Sequence, residues 1–314
     1  MKAVDRRWGV VVRHLALSMS CIMAAGPMAA LARAQNTGAR LTDGDATFDY
    51  TAGGANALPT LTQGATGNVP MNFQITGTPG DPLEQQIVSG NWFYRIVGDN
   101  RERHFANAVA RNTAGSDYVQ YAFDPIDVGS SSTPAGDVWA EMDFKVFDTG
   151  PDSALLSTQV CFHNRGQTTV DIEVFLAVDF HLAATAANDA YAPLNTSGGR
   201  MWTLTDGGYT GLMWGPNAVG ADAGTSSSIM GGMTNSSPTN YSTGPHPGGT
   251  FPDGAAGLQF HVTLPPGPTT ICTPAYIGIG ANGVIPPLEV PEPGSLALLG
   301  SGAAVALVRQ WRRR

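Results

Sequence analysis

The strict alternation over Thr169–Phe180 constrains this chain more than any other feature. Val170, Ile172, Val174, Leu176, Val178 and Phe180 fall on one side, and Thr169, Asp171, Glu173, Phe175, Ala177 and Asp179 on the other. A period of two is the mark of a strand with one buried face. A slip of one residue would bury Asp171 and Glu173, so the register is well specified. Val138–Phe147 repeats the pattern, with Val138, Ala140, Met142, Phe144 and Val146 against Trp139, Glu141, Asp143, Lys145 and Phe147. Weaker strand signals cover Asn91–Val97, Tyr118–Phe123, Leu155–Phe162, Met201–Thr205, Tyr209–Trp214, Leu258–Leu264 and Thr269–Ile279. Ala46–Tyr50 reads as an edge strand. Asn164-Arg165-Gly166-Gln167 reads as the turn of a hairpin into the long alternating strand, and Asp206-Gly207-Gly208 as a second tight turn. The chain has 39 Gly and 22 Pro in 314 residues, well above the usual total of roughly 12%. Many strands joined by turns fit this, and a helical bundle does not. The expected fold is all-β: an antiparallel β-sandwich or jelly roll spanning residues 35–289. Residues 217–256 are rich in Gly, Ser, Thr, Asn and Pro and read as a long loop, disorder being the plainer reading. Residues 51–70 read similarly.

Charge is split between the ends and the middle. Nine of the 17 basic residues lie before Gln35 or after Val290, which leaves eight against 23 acids between. An acidic body repels phosphate backbones and anionic membranes, so nucleic acid is not an expected partner.

The two ends read as addresses. Lys2, Arg6, Arg7 and Arg13 form a basic region before the apolar run Leu15–Ala25, and Ala32-Arg33-Ala34 offers a small-x-small cleavage site. Residues 1–34 are therefore expected to be a signal peptide cut by signal peptidase. At the other end Val290-Pro291-Glu292-Pro293 precedes the apolar run Leu296–Val308, and Gln310-Trp311-Arg312-Arg313-Arg314 follows. A polar break, a short hydrophobic helix and a basic stop would hold an exported chain in the inner membrane for a time, arginines inside. At 13 residues the apolar run is short for a lasting span.

This ending, residues 290–314, resembles the PEP-CTERM sorting signal: Val290, Pro291, Glu292 and Pro293 match its motif, and the helix and arginine cluster follow in order. The resemblance implies a Gram-negative exporter and recognition by an exosortase, a membrane cysteine protease. Cleavage near the motif would release the body or re-anchor it at the surface. Proteins with this tail accompany exopolysaccharide production and biofilm formation. Asn164-Arg165-Gly166, the strand Val170–Val178, Asp179-Phe180-His181-Leu182 and Asn188-Asp189 also look like a segment of other secreted proteins with this tail. That likeness implies no activity.

Four groups of residues offer chemistry. With Cys21 in the signal peptide, Cys161 and Cys272 are an even pair in an oxidising compartment, which favours a disulfide over a nucleophilic thiol beside His163. Asp171 with Glu173, and Glu141 with Asp143, are same-face carboxylate pairs; they would cluster if their strands were neighbours, and paired acids suit glycoside hydrolysis or calcium. Asp179, His181, Asn188 and Asp189 could contact an ion or ligand, although zinc usually takes more His or Cys. Trp139, on an acid-bearing strand face, could stack on a sugar. No Gly-x-Ser-x-Gly elbow or phosphate loop occurs, so no cofactor and no catalytic residue is expected. The leading expectation is a non-enzymatic surface or matrix protein, structural or adhesive, associated with exopolysaccharide. A carbohydrate-active hydrolase or lyase and a calcium or small-ligand module are the alternatives.

Overall fold

The computed structural model describes residues 38–281, except 45, 52–70, 76–83, 106–107, 109, 128–135, 151–152, 183–188 and 197–198. The expected signal peptide with Ala32 and Ala34, the sorting motif and the C-terminal hydrophobic run all lie outside the described residues. Among the described residues no helix is long and apolar enough to cross a membrane.

Two antiparallel sheets form a sandwich. The first holds β1 (Gly38–Asp43), β2 (Ala46–Thr51), β3 (Met71–Ile75), β4 (Glu84–Ile96), β5 (Arg103–His104), β10 (Val170–Phe180), β14 (Gly220–Thr225) and β16 (Gly254–Leu264). Its order is β1-β2-β3-β4-β10-β16-β14, with β5 also on β4. The second holds β6 (Ala110–Thr113), β7 (Tyr118–Phe123), β8 (Val138–Gly150), β9 (Ser153–Asn164), β11 (Asp189–Thr196), β12 (Gly199–Asp206), β13 (Tyr209–Pro216), β15 (Gly249–Phe251) and β17 (Thr269–Ala281). Its order is β15-β11-β12-β13-β17-β9-β8-β7-β6.

The alternating strands do what their pattern requires. Val170, Ile172, Val174, Leu176, Val178 and Phe180 of β10 join Val138, Ala140, Met142, Phe144 and Val146 of β8 in one core between the sheets. Rings meet across the gap, as in Phe48 of β2 against Phe144 of β8 at 5.2 Å between centroids. Trp92 of β4 is fully buried, and its indole Nε1 donates to Thr158 Oγ1 of β9 at 2.9 Å. That bond lets a polar ring atom enter the core without an orphaned donor.

Three expectations need correction. Ala46–Tyr50 is not an edge strand, because β2 lies between β1 and β3. Asn164–Gln167 does not close a hairpin, because β9 and β10 belong to different sheets. The turn instead carries the chain across the sandwich. Asn164, 1% exposed, holds this corner: its Nδ2 donates to the carbonyls of Thr168 and Pro265 at 2.8 and 2.9 Å and more weakly to that of Leu264 at 3.3 Å. Its Oδ1 accepts from the Gly166 N–H at 2.8 Å.

The third correction concerns residues 217–256, which are ordered structure and not one long loop. They contain β14, helix α1 (Ser226–Thr234) and β15. Thr225 caps α1, its hydroxyl accepting from the Ser228 N–H at 3.3 Å. Ile229, Met230 and Met233 bury against Phe93, Phe175, Ala177 and Ala255 on the outer face of the eight-stranded sheet, together with Tyr241. A Cβ on Gly257 would meet the Tyr241 ring at 2.3 Å, so glycine is what admits the ring there. Arg95 ties the following segment down. Its guanidinium pairs with Glu102 at 2.5 Å and donates to the Thr239 carbonyl and Asn240 Oδ1 at 2.7 Å each.

Replacing Asn164 by Ala strands several buried carbonyls and one N–H at the corner. At roughly 0.5–1.5 kcal/mol per lost bond, plus desolvation, the variant should lose about 2–3 kcal/mol. Urea denaturation checks this; a midpoint unchanged from the wild type would show that the corner does not depend on this amide.

Candidate functional sites

The strand ends near α1 gather one cluster of chemistry-bearing groups. Asp179 is the penultimate residue of β10 and lies opposite Ser89 of β4 and Ala255 of β16. His181 follows β10 directly. Asp253 sits in the turn between β15 and β16 with φ of 53°, a left-handed conformation that Asp tolerates better than most residues. The His181 imidazole Nε2 lies 3.1 Å from Asp253 Oδ1 and 3.8 Å from Asp179 Oδ1. Ser226, the first residue of α1, donates its hydroxyl to Asp179 Oδ2 at 2.8 Å. The other carboxylate oxygen of Asp179, Oδ1, is buried without a short hydrogen bond. Burial, helped by the Asp253 charge, pushes the Asp179 carboxyl up to about 6, against the Ser226 hydrogen bond, the His181 charge and the Ser89 hydroxyl, which pull it down. An acid, an imidazole and a second acid in contact can hold a cation or move a proton near neutral pH.

Asp179 and His181 were legible from sequence as a pair; Asp253 was not. Pro252-Asp253-Gly254 signals a turn, but nothing in the pattern says which strand end that turn will reach. Asn188 lies outside the described residues. Asp189 begins β11 and pairs with Phe251 of β15.

The paired carboxylates do not form one cluster. Asp171 and Glu173 lie on β10, and Glu141 and Asp143 lie on β8 of the other sheet. On the first sheet Glu173 accepts from Gln259 Nε2 at 2.8 Å and meets His261 Nδ1 at 2.9 Å, while Asp171 accepts from the Thr263 hydroxyl at 2.5 Å. These are cross-strand pairs between β10 and β16. On the second sheet Asp143 is buried and accepts from the Tyr118 hydroxyl and Gln159 Nε2 at 2.9 and 2.8 Å. Burial pushes its carboxyl up, against those bonds.

The tryptophans divide between core and surface. Trp92 and Trp202 are in the core, whereas Trp139 and Trp214 are half-buried. Both half-buried rings stand on the outer face of the nine-stranded sheet. Trp139 of β8 stacks on His163 of β9, centroids 3.7 Å apart and planes 9° from parallel, with the Arg165 guanidinium 5.3 Å from the indole. Thr270 Oγ1 holds His163 Nδ1 at 2.8 Å, and Glu141 Oε2 lies 3.4 Å from Nε2 without a hydrogen bond to it. Trp214 of β13 stacks on Tyr276 of β17, centroids 5.3 Å apart. His163 pairs with Thr270, and Ser157 with Tyr276. The two stacks are thus six residues apart along β9 and β17, roughly 20 Å at the usual strand rise.

Between the stacks Cys161 and Cys272 face each other on β9 and β17, Cα atoms 4.0 Å apart and sulfurs 2.09 Å apart. Closing a loop of sequence separation 111 would restrict the unfolded chain by about 4–5 kcal/mol in the chain-entropy account. Non-reducing peptide mapping of the exported protein should recover the two cysteine peptides joined; two free thiols would contradict the bond.

Comparisons with known proteins bear on both parts of the chain. The family model of the PEP-CTERM protein-sorting motif matches residues 289–314. The C-terminus therefore carries that motif, which supports export, exosortase-dependent sorting and surface localisation. No curated protein matches the chain. Among solved structures, the chain is similar to a provisionally designated aldose 1-epimerase from Escherichia coli K12, with TM-score 0.41 and 10% identity over 78% of this chain and 99% of that one. It is also similar to a GalM/aldose epimerase homologue from C. elegans, with TM-score 0.42 and 7% identity over 78% and 99%. A third is a galactose mutarotase related enzyme from Lactobacillus acidophilus, with TM-score 0.39 and 8% identity over 80% and 100%. These likenesses transfer no residue role and no activity to this chain. One expectation does not stand: the body was expected to be non-enzymatic, whereas the solved structures it is similar to bear aldose-epimerase and galactose-mutarotase-related designations.

Proposed function

We propose that this exported protein associates with extracellular polysaccharide through the outer face of its nine-stranded sheet. The observation that supports this is the pair of aromatic stacks, Trp139–His163 and Trp214–Tyr276, on one sheet face. Each ring is held in place by a neighbouring strand, so little side-chain freedom is lost when a sugar packs on it. Glu141, Thr270 and Arg165 beside Trp139 can bond sugar hydroxyls, as shallow polar-rimmed sites do. A polymer lying along β9 and β17 would meet both stacks. The sorting tail is consistent with this role, because it implies release at the surface where such polymers lie. Asp179, His181, Asn188 and Asp189 are not needed for this contact.

Two measurements test the proposal. Trp139→Ala and Trp214→Ala should each weaken binding of the full chain to the producing cell's exopolysaccharide about tenfold, since roughly 1.4 kcal/mol is a factor of ten. His261→Ala, on the opposite sheet, should leave it unchanged. Equal binding by all three variants would contradict the assigned face. For the tail, mass spectrometry of surface-extracted protein should lack Leu296–Arg314. Changing Pro291 and Pro293 to Ala should leave uncleaved chain in the inner membrane, and an intact tail in the wild-type surface pool would contradict exosortase processing.

A further inference from the structure

We propose that Asp179, His181 and Asp253 form a binding site for a first-row divalent transition-metal ion of the zinc or manganese type. Each residue offers one ligand atom, and these atoms all lie within 4.8 Å of one another. Ligands at about 2.05 Å around a tetrahedral ion are about 3.3 Å apart. The His181–Asp253 and His181–Asp179 separations of 3.1 and 3.8 Å bracket that value. Among the described residues no other three His, Cys, Asp or Glu side chains converge in this way.

A second observation points to a ligand. Asp179 is 7% exposed, and its Oδ1, the oxygen nearest His181, is buried without a hydrogen-bond partner. Buried carboxylate oxygens are costly when unpaired. Its sister oxygen is already fixed by the Ser226 hydroxyl, an outer partner of the kind that orients a metal-ligating carboxylate. The Ser89 hydroxyl, opposite Asp179 across the strand pair, lies close to the same carboxylate. A cation at the centre of the trio would complete the coordination of Asp179 Oδ1.

The donor set selects the class of ion. One imidazole and two carboxylates suit zinc, manganese or iron better than calcium, which prefers an all-oxygen shell of six to eight ligands. Side chains of His181 and Asp253 are 23% and 22% exposed, so water or a ligand hydroxyl can reach the remaining position. The ion would join the end of β10 to the turn between β15 and β16. This site is independent of the aromatic face, so either proposal can fail without the other.

The test uses the full chain made without a polyhistidine tag and stripped by a chelator. Isothermal titration with Zn2+ or Mn2+ should give one saturable equivalent per chain, with Ca2+ at least tenfold weaker. His181→Ala and Asp253→Asn should each weaken that binding more than tenfold, while Glu173→Gln leaves it unchanged. Both target side chains are partly exposed, and circular dichroism confirms that the variants fold. The melting temperature of the wild type should rise with added zinc and fall back on chelation, and that response should vanish in Asp253→Asn. Absence of saturable binding, a preference for calcium, or binding untouched by either substitution would overturn the proposal.

Discussion

Asn164 donates its side-chain amide to carbonyls at the point where the chain leaves one sheet for the other. It sets where β10 starts, and the period of β10 then turns six apolar side chains into the core and leaves Asp171, Glu173 and Asp179 on the outer face. The same amide bonds the carbonyls of Leu264 and Pro265, so the end of β16 is fixed against the start of β10. Those two strands carry Asp179 and, one turn ahead of β16, Asp253.

The outer faces of the two sheets have different fates. On the eight-stranded sheet, α1 and the segment held by Arg95 cover Phe93 and Phe175. Breaking a buried ion pair such as Arg95–Glu102 by removing one partner costs roughly 3–5 kcal/mol, so that cover is firmly attached. On the nine-stranded sheet the rings of Trp139, Trp214 and Tyr276 stay half-buried, Trp139 against His163 and the Arg165 guanidinium, Trp214 against Tyr276. The covered face supplies the polar cluster at its end, and the open face supplies the aromatic surface.

Much of the fold was legible because alternation reports burial directly. Val138–Phe147 and Thr169–Phe180 each gave a strand and its core side. What alternation cannot report is the partner. Two strands joined by a four-residue turn suit a hairpin and a sheet switch equally well, and only the buried contacts of Asn164 decide between them. Helix α1 was missed because Ser226-Ser227-Ser228 and Gly231-Gly232 are weak helix formers. It forms because Ile229, Met230 and Met233 find an apolar sheet beneath them, which is a tertiary cause. Asp253 was missed for the same reason: it lies more than seventy residues from His181, and only strand pairing unites them. The C-terminal sorting motif was legible because such a signal is read as linear sequence.

The central claim is that the open aromatic face of the nine-stranded sheet meets polysaccharide. Hydroxyl-radical footprinting of the exported protein, with and without exopolysaccharide, tests it most directly. The account predicts that Trp139, Trp214 and Tyr276 lose reactivity together while His261 on the opposite sheet keeps its own. Protection confined to His261 and its neighbours, or no protection of the three rings, would contradict it.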